Sequence, residues 1–431
     1  MGHDKIGAGS EGFDERTAPL YAGEARENLS LDAGLGKPGA DDISTMASKF
    51  GLKVRETAGQ DEFYFRADGK DNVVLKLPAQ ETTTNLAERE ITEALQNRVH
   101  EIENNYKVQI AMPGEPVEKQ TVKKADCSTE PGEMVYATQP TFSGLYAVKE
   151  AMSRSQPSQL TADGKDGIKI YFLDKQILPQ PVYGNKYALG LYIPQDKDRH
   201  ISMYITPDGA KAPPTAKDVT SGLDRNLQWI LTHEATHNSQ ANSWPTTFPY
   251  LPKGLPEQFG WETINHIEKD GKVVFEAYLL NGKNGESYVN VPASCAEETK
   301  WISVKDGKVI GEDGKPTDDK DKVRHFTNEE VMERAAVKPI SYYFPNPKEM
   351  LSEALSAYRG GQDMRRYLYR ESPTLYTATK NYDDQEISRV YGLDSTGQSR
   401  FLRTPDGLLA KRDLSSVMNL RSFEESLKSE R

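Results

Sequence analysis

The chain has 431 residues, 28% of them charged and 36% hydrophobic, with a mean hydropathy of −0.70 and a formal net charge of −11. That negative balance argues against nucleic acid as a primary partner, and no run approaches the about 18 consecutive apolar residues of a membrane span. Cys127 and Cys295 lie far apart with no C-x-x-C spacing, which excludes a structural zinc finger and leaves one disulfide or two free thiols open.

The opening MGHDKIGAGSEGFDERTAPL has no apolar stretch suited to a cleavable secretory signal. The default expectation is a cytoplasmic protein, with export by a signal-less route left open. Residues 1–45 are rich in Gly, Asp, Glu and Ala without periodicity and read as a flexible segment. A single domain is expected over 46–375, with an insertion at about 245–335, followed by an extension over 376–431.

In chain order, 62–66 and 72–77 read as strands around the turn Asp68-Gly69, a hairpin signal. Leu86, Ile91, Leu95, Val99 and Ile102 recur at near-helical spacing and predict a helix over 84–105. A strand over 106–112, a loop over 114–140, a helix over 144–154 and a strand over 167–173 follow. Residues 187–193 and 201–206 read as two more strands. Asn281-Gly282, Asp306-Gly307 and Asp313-Gly314 are hairpin signals that make the insertion β-rich. A hairpin around Gly397 over 391–403 and a terminal helix over 413–428 complete the reading. The fold class is α+β.

Chemistry concentrates at 227–238, which reads LQWILTHEATHN. His233-Glu234-Ala235-Thr236-His237 is an H-E-x-x-H. Residues four apart share a helix face, so both imidazoles project to one side, as a single Zn²⁺ requires. Glu234 stands beside them, placed to take a proton from a water activated by the metal. Leu227, Ile230 and Leu231, with Trp229 among them, give this helix an apolar side. No Pro or Gly interrupts it before Pro245.

A catalytic zinc site needs a third protein ligand. Gln240 and Ser243 stand where a metzincin would carry Gly and a third His, so that pattern fails. Glu257, 20 residues beyond His237, lies among Gly and Pro. Glu329 lies in a charged helix, where an acidic first turn is ordinary. His266 stays open. Glu349 lies on a helix that Asn346 can cap, Pro347 can begin and Gly360-Gly361 can stop. Glu353 shares its face, and two glutamates on an otherwise apolar helix are unusual, because a buried carboxylate needs a partner or a metal.

The pair THEATH and YYFPNPKEMLSEALSAY resembles the lethal-factor-like zinc metallopeptidases, a gluzincin group. The resemblance implies a zincin-like fold, with a mixed sheet over the active-site helix. It implies Zn²⁺ on His233, His237 and Glu349, with Glu234 as general base. Glu353 is then the carboxylate that orients a ligand imidazole, and Tyr342, with Tyr343 as the alternative, stabilises the oxyanion. Residues 200–206 become the edge strand along which an extended peptide adds. The expected partner is a peptide or protein substrate, and the expected activity is zinc-dependent endopeptidase. The rival expectation is a zincin-fold binding or toxin-associated module without peptidase activity. The 112 residues from His237 to Glu349 exceed what compact members of the family need, which is why an insertion is expected.

Overall fold

The structure is a computed structural model that describes residues 40–67, 69–117, 121–123, 128–131, 134–155, 167–173, 177–180, 186–188, 190–193, 200–204, 223–242, 251, 253–269, 272–291, 300–341 and 344–391. Tyr342, Tyr343, Cys127, Cys295, the helix expected over 413–428 and all but the first residue of the hairpin expected over 391–403 fall outside this set. The described residues mix helix and sheet, in keeping with the α+β class.

Three strands, Lys53–Thr57, Gln60–Ala67 and Lys70–Pro78, form an antiparallel meander. Ala67 pairs with Lys70 and Gly69 sits at φ 72°, the left-handed conformation that the predicted D-G turn needs. The helix Thr84–Tyr106 follows, capped by the Thr83 side chain, which accepts from Leu86 N. Ala87, Ile91, Leu95 and Ile102 are its buried stripe. A second helix, Phe142–Arg154, is capped in the same way by Thr141.

A four-stranded sheet has the order Gly190–Ile193, His200–Tyr204, Lys169–Leu173, Gln109–Ile110. The last three run parallel, and Gly190–Ile193 pairs antiparallel with His200–Tyr204. Its side chains Ile170, Phe172 and Ile201 enter one buried cluster with Leu145 and Val148 of Phe142–Arg154.

The helix Leu223–Asn242 completes that cluster and opens a second. Leu227, Leu231 and Ala235, each four apart, bury in the first. Trp229 and Ile230 bury in the second. The helix is therefore a partition with a core on either side. Its C-terminal neighbour in the second core is the helix Pro347–Arg359. Asn346 caps that helix by accepting from Lys348 N at 2.9 Å and Glu349 N at 3.1 Å, with Pro347 at its first turn. Gly361, at φ 115°, redirects the chain into Gln362–Glu371. Ser356 Oγ donates to Trp229 O at 3.1 Å and joins the two central helices.

The expected insertion is β-rich, as a sheet of Trp261–Lys269, Lys272–Asn281, Ser287–Val291, Lys300–Lys305 and Lys308–Val309, with His325–Phe326 against Lys300–Lys305. The two-residue turn at Asp306-Gly307 joins Lys305 to its partner Lys308. This sheet is part of the second core. Trp301 stacks on Phe344 at 5.2 Å and lies 6.1 Å from Trp261, whose Nε1 donates to Met350 Sδ at 3.2 Å. Burying side chains of this size stabilises by about 2–3 kcal/mol each, so the sheet is the bed of the Glu349 helix.

Five expectations change. The edges of the four-stranded sheet are Gly190–Ile193 and Gln109–Ile110, and His200–Tyr204 lies inside it; two similar short strand patterns carry no signal of their lateral order. The helix Ala40–Ser48 begins within the segment read as flexible, because Met46 and Ala47 find burial against distant residues. The strand expected over 106–112 shrinks to Gln109–Ile110, because the preceding helix runs on to Tyr106 and ends with Lys107 at φ 57°. The helix Pro373–Tyr391 crosses the expected boundary at 375/376. Its Leu375, Tyr376, Ala378 and Tyr382 share the second core, and Arg359 Nε donates to Asp383 Oδ1 at 3.0 Å with both residues buried. The loop expected over 114–140 also contains the small pairing of Thr121–Lys123 with Thr129–Pro131.

Candidate metal centre

His233 and His237 lie one turn apart on Leu223–Asn242, facing Pro347–Arg359. The intervening positions fit that packing: Ala235 enters the first core, and Thr236 Oγ1 is satisfied by donating to Thr232 O at 2.7 Å. Glu349 and Glu353, also one turn apart, face the histidines, and each is only 2% exposed. That resolves the question of why two carboxylates sit on an apolar helix: both have buried polar partners.

The imidazoles are oriented from behind. His233 Nδ1 donates to Glu353 Oε1 at 2.7 Å, and Trp229 Nε1 donates to the same oxygen at 3.3 Å. His237 Nδ1 donates to Gln240 Oε1 at 3.0 Å. A carboxylate or amide oxygen only accepts, so each Nδ1 carries a hydrogen, and in the neutral ring each Nε2 is left with a bare lone pair. Those two nitrogens and Glu349 Oε2 meet at one point. His233 Nε2 lies 3.0 Å and His237 Nε2 3.1 Å from Glu349 Oε2, and the two nitrogens are 3.1 Å apart.

Three lone pairs converging in a buried space repel one another unless a positive charge lies among them. A proton serves only two of the three atoms. A small divalent cation serves all three, and the separations suit ligands about 2.0–2.1 Å from a common centre. The donor set, two imidazoles and a carboxylate with both rings backed by acceptors, fits zinc. His233, His237 and Glu349 are the three-residue group with metal-ligand spacing among the described residues.

Without a metal, the charge within the cluster is a proton. Burial pulls His233 down, but its bonds to Glu349 and Glu353 win and raise it from 6.5 to about 10. Burial pushes Glu349 up, but His237 and His233 win and lower it from 4.5 to about 2. The two shifts share the His233–Glu349 contact, to which Glu353 adds for His233 and His237 adds for Glu349. The raised His233 contributes stability that is complete below pH 6.5 and lost as pH rises towards about 10. The lowered Glu349 contributes stability that is complete above pH 4.5 and lost as pH falls towards about 2. Chelator-stripped protein is therefore expected to melt at its highest temperature, as far as this cluster decides, between pH 4.5 and 6.5. Zinc, in taking the proton's place, is expected to raise the melting temperature most on the alkaline side. Melting scans across pH with and without zinc test this, and identical profiles would contradict it.

Glu234 is fully buried next to the first histidine. Tyr342 lies outside the described residues. Of the rejected ligands, Glu257 is exposed on the short helix Leu255–Gln258, and Glu329 is exposed at the start of Asn328–Arg334, beside the Thr327–Glu330 capping box. His266 lies on the strand Trp261–Lys269, with its side chain outside the described set. Sequence reasoning missed the supporting roles of Trp229 and Gln240. Both were within reach of a helix-face argument, since Trp229 is four residues before His233 and Gln240 three after His237.

No family model, curated protein or solved structure matches the chain. No helix among the described residues is long and apolar enough to cross a membrane.

Proposed function

We propose that the chain is a zinc-dependent endopeptidase of the lethal-factor-like, zincin-fold type. The observation that carries this reading is the convergence of His233 Nε2, His237 Nε2 and Glu349 Oε2 at 3.0–3.1 Å, with both rings held from behind. The arrangement of a mixed sheet packed on the H-E-x-x-H helix, with an antiparallel strand at its edge, supports the fold assignment.

His233, His237 and Glu349 would hold the zinc ion, which supplies Lewis acidity toward water and the scissile carbonyl. Glu234 takes the proton from the attacking water and later delivers it to the leaving amine. Glu353 keeps His233 in the tautomer that presents Nε2, and burial of the cluster excludes bulk water from its donors. The backbone of Gly190–Ile193, paired on one side only among the described residues, offers an edge to an extended substrate. The resemblance assigns the oxyanion contact to Tyr342, with Tyr343 as the alternative.

Elemental analysis of protein prepared with adequate metal, alongside a peptide-library digest, tests the reading. The expected result is about one zinc per chain and cleavage that stops on chelation and returns with zinc. Protein that holds no zinc would overturn the proposal.

A further inference from the structure

The two imidazoles of the centre have unequal partners. His233 is backed by an anionic carboxylate that also accepts from Trp229. His237 is backed by the neutral amide of Gln240. That amide has a second bond: its Nε2 donates to Lys348 O at 3.2 Å. Reversing the amide would set an oxygen against the Lys348 carbonyl and an N–H against the imidazole N–H, so one orientation alone satisfies both contacts. Gln240 is itself 1% exposed, and no solvent competes for it.

We propose that Gln240 is a positioning residue that sets His237 for metal and ties it in register to Glu349. One end of the amide fixes the His237 tautomer. The other end grips the backbone of Lys348, the residue before Glu349, on the opposite helix. The two ligands from distant parts of the chain are thereby locked together by one side chain. The Asn346 cap acts beside it, since it accepts from the N–H groups of Lys348 and Glu349. The first turn of the ligand helix is thus held from both sides.

The partners' chemistry also makes the imidazoles inequivalent. A carboxylate behind an imidazole makes it a stronger donor to a cation than an amide does. His237 is then the weaker of the two nitrogen ligands, and a carboxylate at position 240 would strengthen it while giving up the bond to Lys348. The inference rests on the metal-site reading above, and its test separates the two.

The experiment measures the zinc dissociation constant of the full chain by competition with a chromophoric chelator, for wild type, Gln240→Leu and Gln240→Glu. Leucine fills nearly the same space without either hydrogen bond. Circular dichroism and the melting temperature of the stripped proteins report folding independently. Gln240→Leu is expected to bind zinc about 10–100-fold more weakly, the range for loss of a partner behind a metal ligand. Gln240→Glu, which restores an acceptor for His237 Nδ1, is expected to recover most of that loss. Wild-type affinity in folded Gln240→Leu would overturn the role of Gln240 while leaving the metal site standing. Equal weakening in both variants would overturn the tautomer role, because it would place the whole effect on the Lys348 contact. Absence of zinc binding by wild type would overturn the metal site and this inference together. A purely structural Gln240 would shift the melting temperature without changing affinity, which also counts against the proposal.

Discussion

Glu234→Gln is expected to lower peptide hydrolysis by about 10²–10⁴-fold, the usual contribution of a positioned general base, while the zinc content stays at the wild-type level. The substitution is close to isosteric, so the fully buried site keeps its shape. Glu234 supplies none of the three converging donor atoms, so the group that would hold the metal is untouched. The amide cannot take the water's proton. Zinc analysis and single-turnover hydrolysis on the same preparation separate the two functions. Cleavage at the wild-type rate would remove Glu234 from the chemistry, and loss of zinc along with activity would show that it supports the metal instead.

Glu349→Ala is expected to weaken zinc binding by more than about 100-fold, above the range seen when only a partner behind a ligand is lost. Glu349 Oε2 is the atom that both Nε2 nitrogens face, at 3.0 and 3.1 Å, so its removal leaves two ligands of three. The stripped protein is also expected to lose stability. The His233 proton keeps Glu353 but loses the stronger of its two hydrogen-bonding influences, and a buried polar group left short of partners costs about 1–3 kcal/mol. Glu349→Gln is the companion variant. It still offers an oxygen but not a charge, and the backbone N–H that binds Asn346 is unchanged. An affinity between those of wild type and Glu349→Ala is expected for it. Unchanged zinc affinity in Glu349→Ala would move the third ligand elsewhere, and His266 would be examined next.

The site was legible in the sequence because its parts are local. The H-E-x-x-H needs one helical turn, and the Glu349–Glu353 pair needs another. Asn346, Pro347 and Gly360-Gly361 mark the second helix by capping chemistry that does not depend on the rest of the fold. What joins the two turns was not legible from spacing alone: His237 and Glu349 are 112 positions apart, and only the resemblance connected them. Sheet order failed for the same reason. Gly190–Ile193 and His200–Tyr204 are both short apolar alternations, and their lateral order follows from packing of distant residues. The insertion's hairpin at Asp306-Gly307 was visible in its D-G turn, whereas Asn281-Gly282 is not a turn: Asn281 ends a strand and pairs with Ser287, Gly282 bridges Ala335, and the left-handed residue of the connection is Gly285. Its burial against the Glu349 helix depends on Trp261 and Trp301, whose side-chain contacts leave no periodic trace. The helix Pro373–Tyr391 was missed as part of the core because its pattern carries a weak apolar stripe and several charges.

The helix Leu223–Asn242, with a core on each side, has its two faces completed at different times during synthesis. At about 5–20 residues per second, Glu349, 112 positions after His237, appears roughly 6–22 s later. In that interval Leu227, Leu231 and Ala235 can already bury against Ile170, Phe172 and Val148, whose residues precede them in the chain. Trp229 and Ile230 must wait for the later half. The histidines wait with them, backed by Gln240 but lacking Glu349 and Glu353. A nascent chain therefore carries only part of the His233, His237 and Glu349 group, which is completed when the second core closes. Translation order thus sets the order of assembly: the face that packs on earlier residues can close first, and the face that carries the histidines closes only when Glu349 and Glu353 have emerged.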